Sequence, residues 1–272
     1  MSNILFVKPD WHYDPYIDYY LLVEYSQFPI IRYNQMDPNS DNIYIVSPAN
    51  GQLKEHIDSI GKDWKSHSCK LMLWNLERPG GSGTIEQYVH DNRQLIESGY
   101  IDRVLVSDYR LAEDSGFWFV PIGSHPDLGR PGDLSEKHYD VVHLMSYTGR
   151  RSDSWYKDPG ITVAPNGWGD VKDVSLRASK LMINIHQDDD RFLEPLRFSL
   201  AAAYGLPIIT ESCLNIYPYD TSRAVIQCER ENMLQTIRMV LKNYTEWYYR
   251  GLDLRDKFTR NVTFRSCLER HI

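Results

Sequence analysis

The sequence predicts an α/β protein made of two parallel-sheet domains facing a cleft. Short apolar runs rich in β-branched and aromatic residues recur along its 272 residues, with helical stretches between them. The stretch 121–133, PIGSHPDLGRPGD, holds three glycines and three prolines, cannot continue a regular element, and so divides the chain. Residues 181–212 spell one complete strand–loop–helix–strand unit of a parallel sheet.

In the first half, strands are expected at 4–7, 43–46, 71–74, 104–106 and 118–120, all short and β-branched or aromatic. Helices are expected between them at about 16–25, 53–63 and 85–98. After the divide, strands near 141–146, 160–164, 181–185, 206–210 and 224–227 alternate with helices at about 175–179, 195–204 and 230–247. The remaining 248–272 is charged and aromatic. The domains are therefore expected at 1–128 and 138–247, followed by a tail at 248–272.

A hydrophobic content of 42% and a charged content of 25% are ordinary for a globular protein. No run approaches the roughly 18 apolar residues of a membrane span. The N-terminus, MSNILFVK, lacks the basic and apolar regions of a signal peptide and reads as a first strand, so a cytoplasmic protein is expected. Cys69, Cys213, Cys228 and Cys267 are widely spaced, which reads as free buried thiols. A net charge of −7 argues against nonspecific coating of nucleic acid or anionic membrane but leaves room for a local basic groove.

The unit at 181–212 is the richest in chemistry. Pro195 suits a first helical position, where its missing N–H costs nothing, and Gly205 suits the left-handed residue just past the helix end. The loop leaving the first strand, QDDDR at 187–191, and the following helix start would present polar groups and a positive dipole end to an anion such as phosphate.

The run RFSLAAAYGLP, residues 197–207, preceded by Glu194-Pro195, resembles the donor-domain helix of group-1 glycosyltransferases with the two-Rossmann GT-B fold. Glu194-Pro195 and Gly205-Leu206-Pro207 match the two ends of that motif, and Arg197 matches an arginine common in a shorter-helix branch. Glu194 lies eleven residues before Gly205 where the longer version has thirteen, and Leu200 stands where the family's ribose-holding glutamate is expected. The resemblance implies transfer of a hexose or pentose from a nucleotide diphosphate sugar, UDP-linked by expectation, to a hydroxyl. It implies no obligatory cofactor, and a C-terminal helix crossing back onto the first domain. Saccharides, small molecules and the hydroxymethylated bases of viral-type DNA stand among the acceptors.

On this reading Glu194 touches sugar hydroxyls, and Arg150, Arg151, Lys180 and Arg197 are the basic candidates for the diphosphate. Trp168, in PNGWG, could stack on the base, and His186 could reach the sugar. Each has a plainer alternative: a helix cap for Glu194, surface charge for the arginines, a packed ring for Trp168, a core histidine for His186. His12 and Asp14, after the first strand, and Glu77, after the 71–74 strand, are candidate general bases, with Asp10 beside them. Asp188, Asp189 and Asp190 satisfy a loose Asp-x-Asp pattern, so a metal-dependent GT-A-like transferase is one alternative. An inactive nucleotide- or glycan-binding module, suggested by Leu200, is the other.

Overall fold

The computed structural model describes residues 3–8, 17–47, 68–76, 85–145, 151, 158, 160–167, 169–186 and 191–272. Among them, two separate sheets form, and every strand pairing in both is parallel. The first sheet takes β1 (Ile4–Lys8), β2 (Ile30–Arg32), β3 (Ile43–Val46), β4 (Lys70–Asn75), β5 (Arg103–Val106) and β6 (Trp118–Phe119) in the order β2-β1-β3-β4-β5-β6. Its described helices are α1 (Ile17–Tyr25), α2 (Ile85–Glu97) and α3 (Tyr109–Ser115). The second sheet takes β7 (Tyr139–Val142), β8 (Ser179–Asn184), β9 (Ile208–Glu211) and β10 (Val225–Cys228) in the order β10-β9-β8-β7. With it go α4 (Asp170–Ala178), α5 (Pro195–Ala203), α6 (Met233–Lys242), α7 (Tyr244–Asn261) and α8 (Phe264–His271). This is the two-sheet α/β class expected from the sequence.

The central strands β3, β4, β5, β8 and β9 are largely buried, as central parallel strands must be. Phe6, Ile45, Met72, Trp74 and Leu105 point into one core, while Val7, Val46, Leu73, Val104 and Val106 point into another. In the second sheet Val142, Met182 and Ile208 join the first of these cores, and Val141, Ile183 and Ile209 build a third. One apolar cluster thus runs continuously from the first sheet to the second.

Several expected elements come out differently. The strand expected at 160–164 is reduced to a single bridge, Val163 beside Val141, held by Ala164 N donating to Val141 O at 2.8 Å. The long helix expected at 230–247 breaks at Asn243, which ends α6 and begins α7. Two short elements, β2 and α3, were not expected; α3 starts on an Asp108 cap and stops at Gly116 with φ +73. The helix expected at 53–63 lies outside the described residues.

The last helices cross to the first sheet. Ser124 N donates to Val262 O and Phe264 N donates to Ser124 O, both at 2.9 Å. Phe264 then sits among Phe6, Tyr19 and Trp74, with ring centroids 5.7–6.1 Å away. Upstream, α7 lies close on the turn between α5 and β9. A Cβ on Gly251 would come 2.2 Å from Gly205 O, so only glycine permits this approach. Arg255 fastens the same contact by donating to Ala203 O at 2.9 Å.

A buried ion pair also joins the halves. Lys172 on α4 binds Asp18 on α1, and both are almost fully buried.

Candidate functional site

In a parallel sheet the strand ends on one edge deliver side chains to a common surface, and a helix that follows a strand starts at that same edge. In the second sheet the described residues past β7, β8 and β9 meet there. Helix α5 begins at Pro195 and ends in a left-handed Gly205 with φ +62, where Leu206 N donates back to Ala201 O at 2.8 Å. Arg197, in the first turn of α5, is held against the end of β8 by its bond to Asn184.

Glu194 precedes α5, but its side chain makes no capping bond. It turns instead into a cluster of cations. Arg151 Nη2 donates to Glu194 Oε1, and Arg197 Nη1 lies 2.5 Å from the same oxygen. His186 Nδ1 stands 3.8 Å from Oε2, which accepts no hydrogen bond. The side chains of Arg151, His186 and Glu194 are no more than one-tenth exposed and that of Arg197 slightly more. Burial would raise the Glu194 carboxyl, but the charges of Arg197 and Arg151 outweigh it and hold the group below its usual value.

Each arginine is anchored to backbone as well. Arg151 Nε donates to Ile185 O at 2.8 Å, and Arg197 Nε donates to Leu144 O at 3.1 Å. Arg197 Nη1 also donates to Asn184 Oδ1 at 2.9 Å, and Asn184 in turn donates to Thr210 Oγ1 at 3.2 Å. The guanidinium planes are therefore fixed by three strand ends before any ligand arrives, which is the preorganisation that anion recognition needs.

Three further groups complete the surroundings, and the sequence reading did not single them out. Asp108, at the end of β5 in the first half, accepts from Leu193 N at 2.6 Å while its other oxygen caps α3. The first sheet thus holds the segment that carries Glu194. Glu211 accepts from His186 N at 2.7 Å. His143, just past β7, has its pKa lowered to about 4 by burial and by the charge of Arg197, so it is neutral. A signal existed for Asp108 in its position before a short amphipathic turn ending at glycine. None existed for Glu211 or His143, whose relevance comes from strand pairing alone.

Of the sequence-predicted donor residues, Arg151, His186, Glu194 and Arg197 come together. Lys180 does not join them. It sits at the start of β8, the opposite edge of the sheet, where its ammonium binds Asp140 at 2.7 Å. Leu200 faces the core, 1% exposed, so a carboxylate at that helical position would not reach a ligand. His12, Asp14, Glu77, Asp10, Arg150, Trp168 and Asp188–Asp190 lie outside the described residues. Among the described residues no cluster of three or more His, Cys, Asp or Glu could hold a metal ion, and no helix is long and apolar enough to cross a membrane. Cys69, Cys213, Cys228 and Cys267 are free thiols, and burial pushes Cys213 up to about 12, away from reactivity.

No protein-family model matches the chain. In sequence it is 24% identical over 242 residues to the uncharacterized protein L137 of Acanthamoeba polyphaga mimivirus. That match takes in 84% of this chain and 30% of the relative, so the chain spans less than a third of that protein's length. Among solved structures, HepE of Anabaena in complex with UDP-glucose superposes with a TM-score of 0.62 at 10% identity, covering 99% of this chain and 98% of that one. A glycosyltransferase from Rickettsia africae gives 0.54 at 9% identity over 99% and 96% of the two chains. AviGT4, a glycosyltransferase of avilamycin A biosynthesis, gives 0.53 at 8% identity over 99% and 98%. At such identities the likeness concerns the fold, and the chain has the two-sheet GT-B fold of glycosyltransferases.

Proposed function

We propose that the protein is a glycosyltransferase that takes its sugar from a nucleotide diphosphate sugar, UDP-linked, and passes it to an acceptor hydroxyl. One observation carries this reading: two buried guanidiniums, each fixed by backbone, converge on one carboxylate at the strand ends of the second sheet. Such a site suits a diphosphate leaving group, whose charge grows as the sugar–oxygen bond breaks. Arg151 and Arg197 would face the phosphate oxygens and Glu194 would accept from sugar hydroxyls, with His186 beside it. The UDP-glucose held by HepE, a protein of the same fold, supports the choice of co-substrate. Glu194-Pro195 and Gly205-Leu206-Pro207 support a place near the group-1 enzymes.

In this reading the second domain, 138–247, takes the donor, the first domain, 1–128, takes the acceptor, and 248–272 ties the two. The proton of the acceptor hydroxyl would pass to His12, Asp14 or Glu77 in an inverting transfer. Charge stabilisation by side chains removes the need for a metal, so turnover is expected to survive excess EDTA.

Calorimetry with UDP and UDP-glucose tests the proposal. Arg197→Ala and Arg151→Ala are each expected to weaken binding about 10- to 100-fold, the usual worth of a charge-assisted hydrogen bond. Equal affinity in wild type and both variants overturns it.

A further inference from the structure

A second cavity, of about 600 Å³, opens where the last helix meets the rim of the first sheet. Its walls come from four separate parts of the chain. Tyr109 begins α3 and Phe119 ends β6, while Tyr217 and Asn215 come from the segment after β9. Asn261 closes α7, and Arg270 lies on α8. The three rings form a corner, with Tyr109 5.2 Å from Phe119 and Tyr217 5.7 Å from each of them. Tyr217 remains 46% exposed, so part of this aromatic corner is open to solvent.

Two hydrogen bonds place this cavity. Tyr109 is the neighbour of Asp108, which holds Leu193 N, and Leu214 N, in the same segment as Tyr217, donates to Arg191 O at 2.9 Å. Both flanks of the cavity are therefore tied to the 191–194 stretch that leads into Glu194. Asn215 Oδ1 accepts from Tyr217 N at 2.8 Å and fixes the turn that presents the ring.

We propose that this cavity is a saccharide subsite that holds the acceptor glycan beside the donor cluster; the assignment to the acceptor rests on the glycosyltransferase reading. A pyranose has a C–H face that packs on an aromatic ring and a rim of hydroxyls that both donate and accept. The cavity answers both, because its lining holds three aromatic rings and the planar amides of Asn215 and Asn261. Its charged lining is balanced, with Asp220 against Arg270, which favours a neutral polar guest over a second phosphate. The volume lies within the roughly 300–1,000 Å³ of ordinary ligand pockets and leaves room for more than one sugar ring.

Saturation-transfer NMR and calorimetry on the full chain test this, with maltotriose, cellotriose and triacetylchitotriose as probes, p-nitrophenol as an aromatic without a sugar, and UDP as a separate titration. At least one trisaccharide is expected to bind the wild type. Tyr217→Ala and Asn261→Ala should each weaken that binding about tenfold, with UDP affinity and melting temperature unchanged. Absence of trisaccharide binding at about 10 mM, equal binding by both variants, or binding of p-nitrophenol alone overturns the subsite. Failure of UDP to bind the wild type strikes the donor reading instead, and the glycan titrations are then read without it.

Discussion

Asp18 and Glu194 are both carboxylates sealed inside the protein, 2% and 8% exposed, and their acidities move in opposite directions. At Asp18 burial dominates: one ammonium, Lys172, does not offset the loss of water, and the carboxyl is raised. At Glu194 burial is again the largest influence, yet two guanidiniums and His186 together overcome it, and the carboxyl is lowered. The first pair joins α1 to α4 and serves the contact between the halves. The second gathers side chains from strand ends of one sheet. Burial thus seals a one-to-one pair into a structural tie, whereas crowding cations around one carboxylate keeps the group ionised at a strand edge where a ligand would dock.

The largest effect is expected at the structural tie. Lys172→Ala leaves Asp18 buried with no cation and should cost about 3–5 kcal/mol in denaturant unfolding, with no recovery on adding UDP or phosphate. A Lys172→Met, Asp18→Leu double variant should regain most of that loss. At the other cluster, Glu194→Gln leaves two guanidiniums without their counter-charge and should cost about 2–3 kcal/mol. Here UDP or inorganic phosphate should restore stability to the variant more than to the wild type. Equal response of the Lys172→Ala and Glu194→Gln variants to anions would erase the distinction between the clusters.

A pH-dependent effect of similar size belongs to His143. Its folded-state pKa of about 4 lies below the ordinary 6.5, so between those values the unfolded chain binds a proton that the folded chain refuses. Stability is therefore full above about pH 6.5 and falls as the pH drops toward about 4, by something on the order of 3 kcal/mol. His143→Asn should flatten that part of the stability profile. The smallest effect is set by the exposed pair Arg260–Asp256, one turn apart on α7 at 2.8 Å: Arg260→Ala should change unfolding free energy by less than about 0.5 kcal/mol.

Much of the frame was legible because its signals are local. Pro195 and Gly205 bracket α5 in the sequence as they do in the fold, and the β-branched runs at 43–46 and 104–106 became strands with at most one residue of shift. What failed was what depends on partners. Lys180 adjoins a strand of the right unit, which on sequence alone makes it a candidate for the ligand, but a parallel strand has two ends. The start of β8 is the wrong one. The strand expected at 160–164 has the right composition, yet it pairs with β7 over only a short stretch, where Asp140 N and Val141 N donate to Thr162 O and Ala164 N donates to Val141 O. Asp108 has a local signal for its cap on α3, but its hold on Leu193 has none, because that partner is 85 residues away.

Phe264 has a consequence for the order in which the protein can be made. Its ring occupies the space among Phe6, Tyr19 and Trp74, all supplied by the first third of the chain. A ribosome releases those three residues long before it reaches position 264. Until then those three rings lack the contacts that Phe264 makes with them, and lining without van der Waals partners is less stable. The first half to be synthesised is therefore the last to be finished. Its consolidation waits on a segment more than 180 residues downstream of Trp74, so these strands stay incompletely packed until that segment has been made.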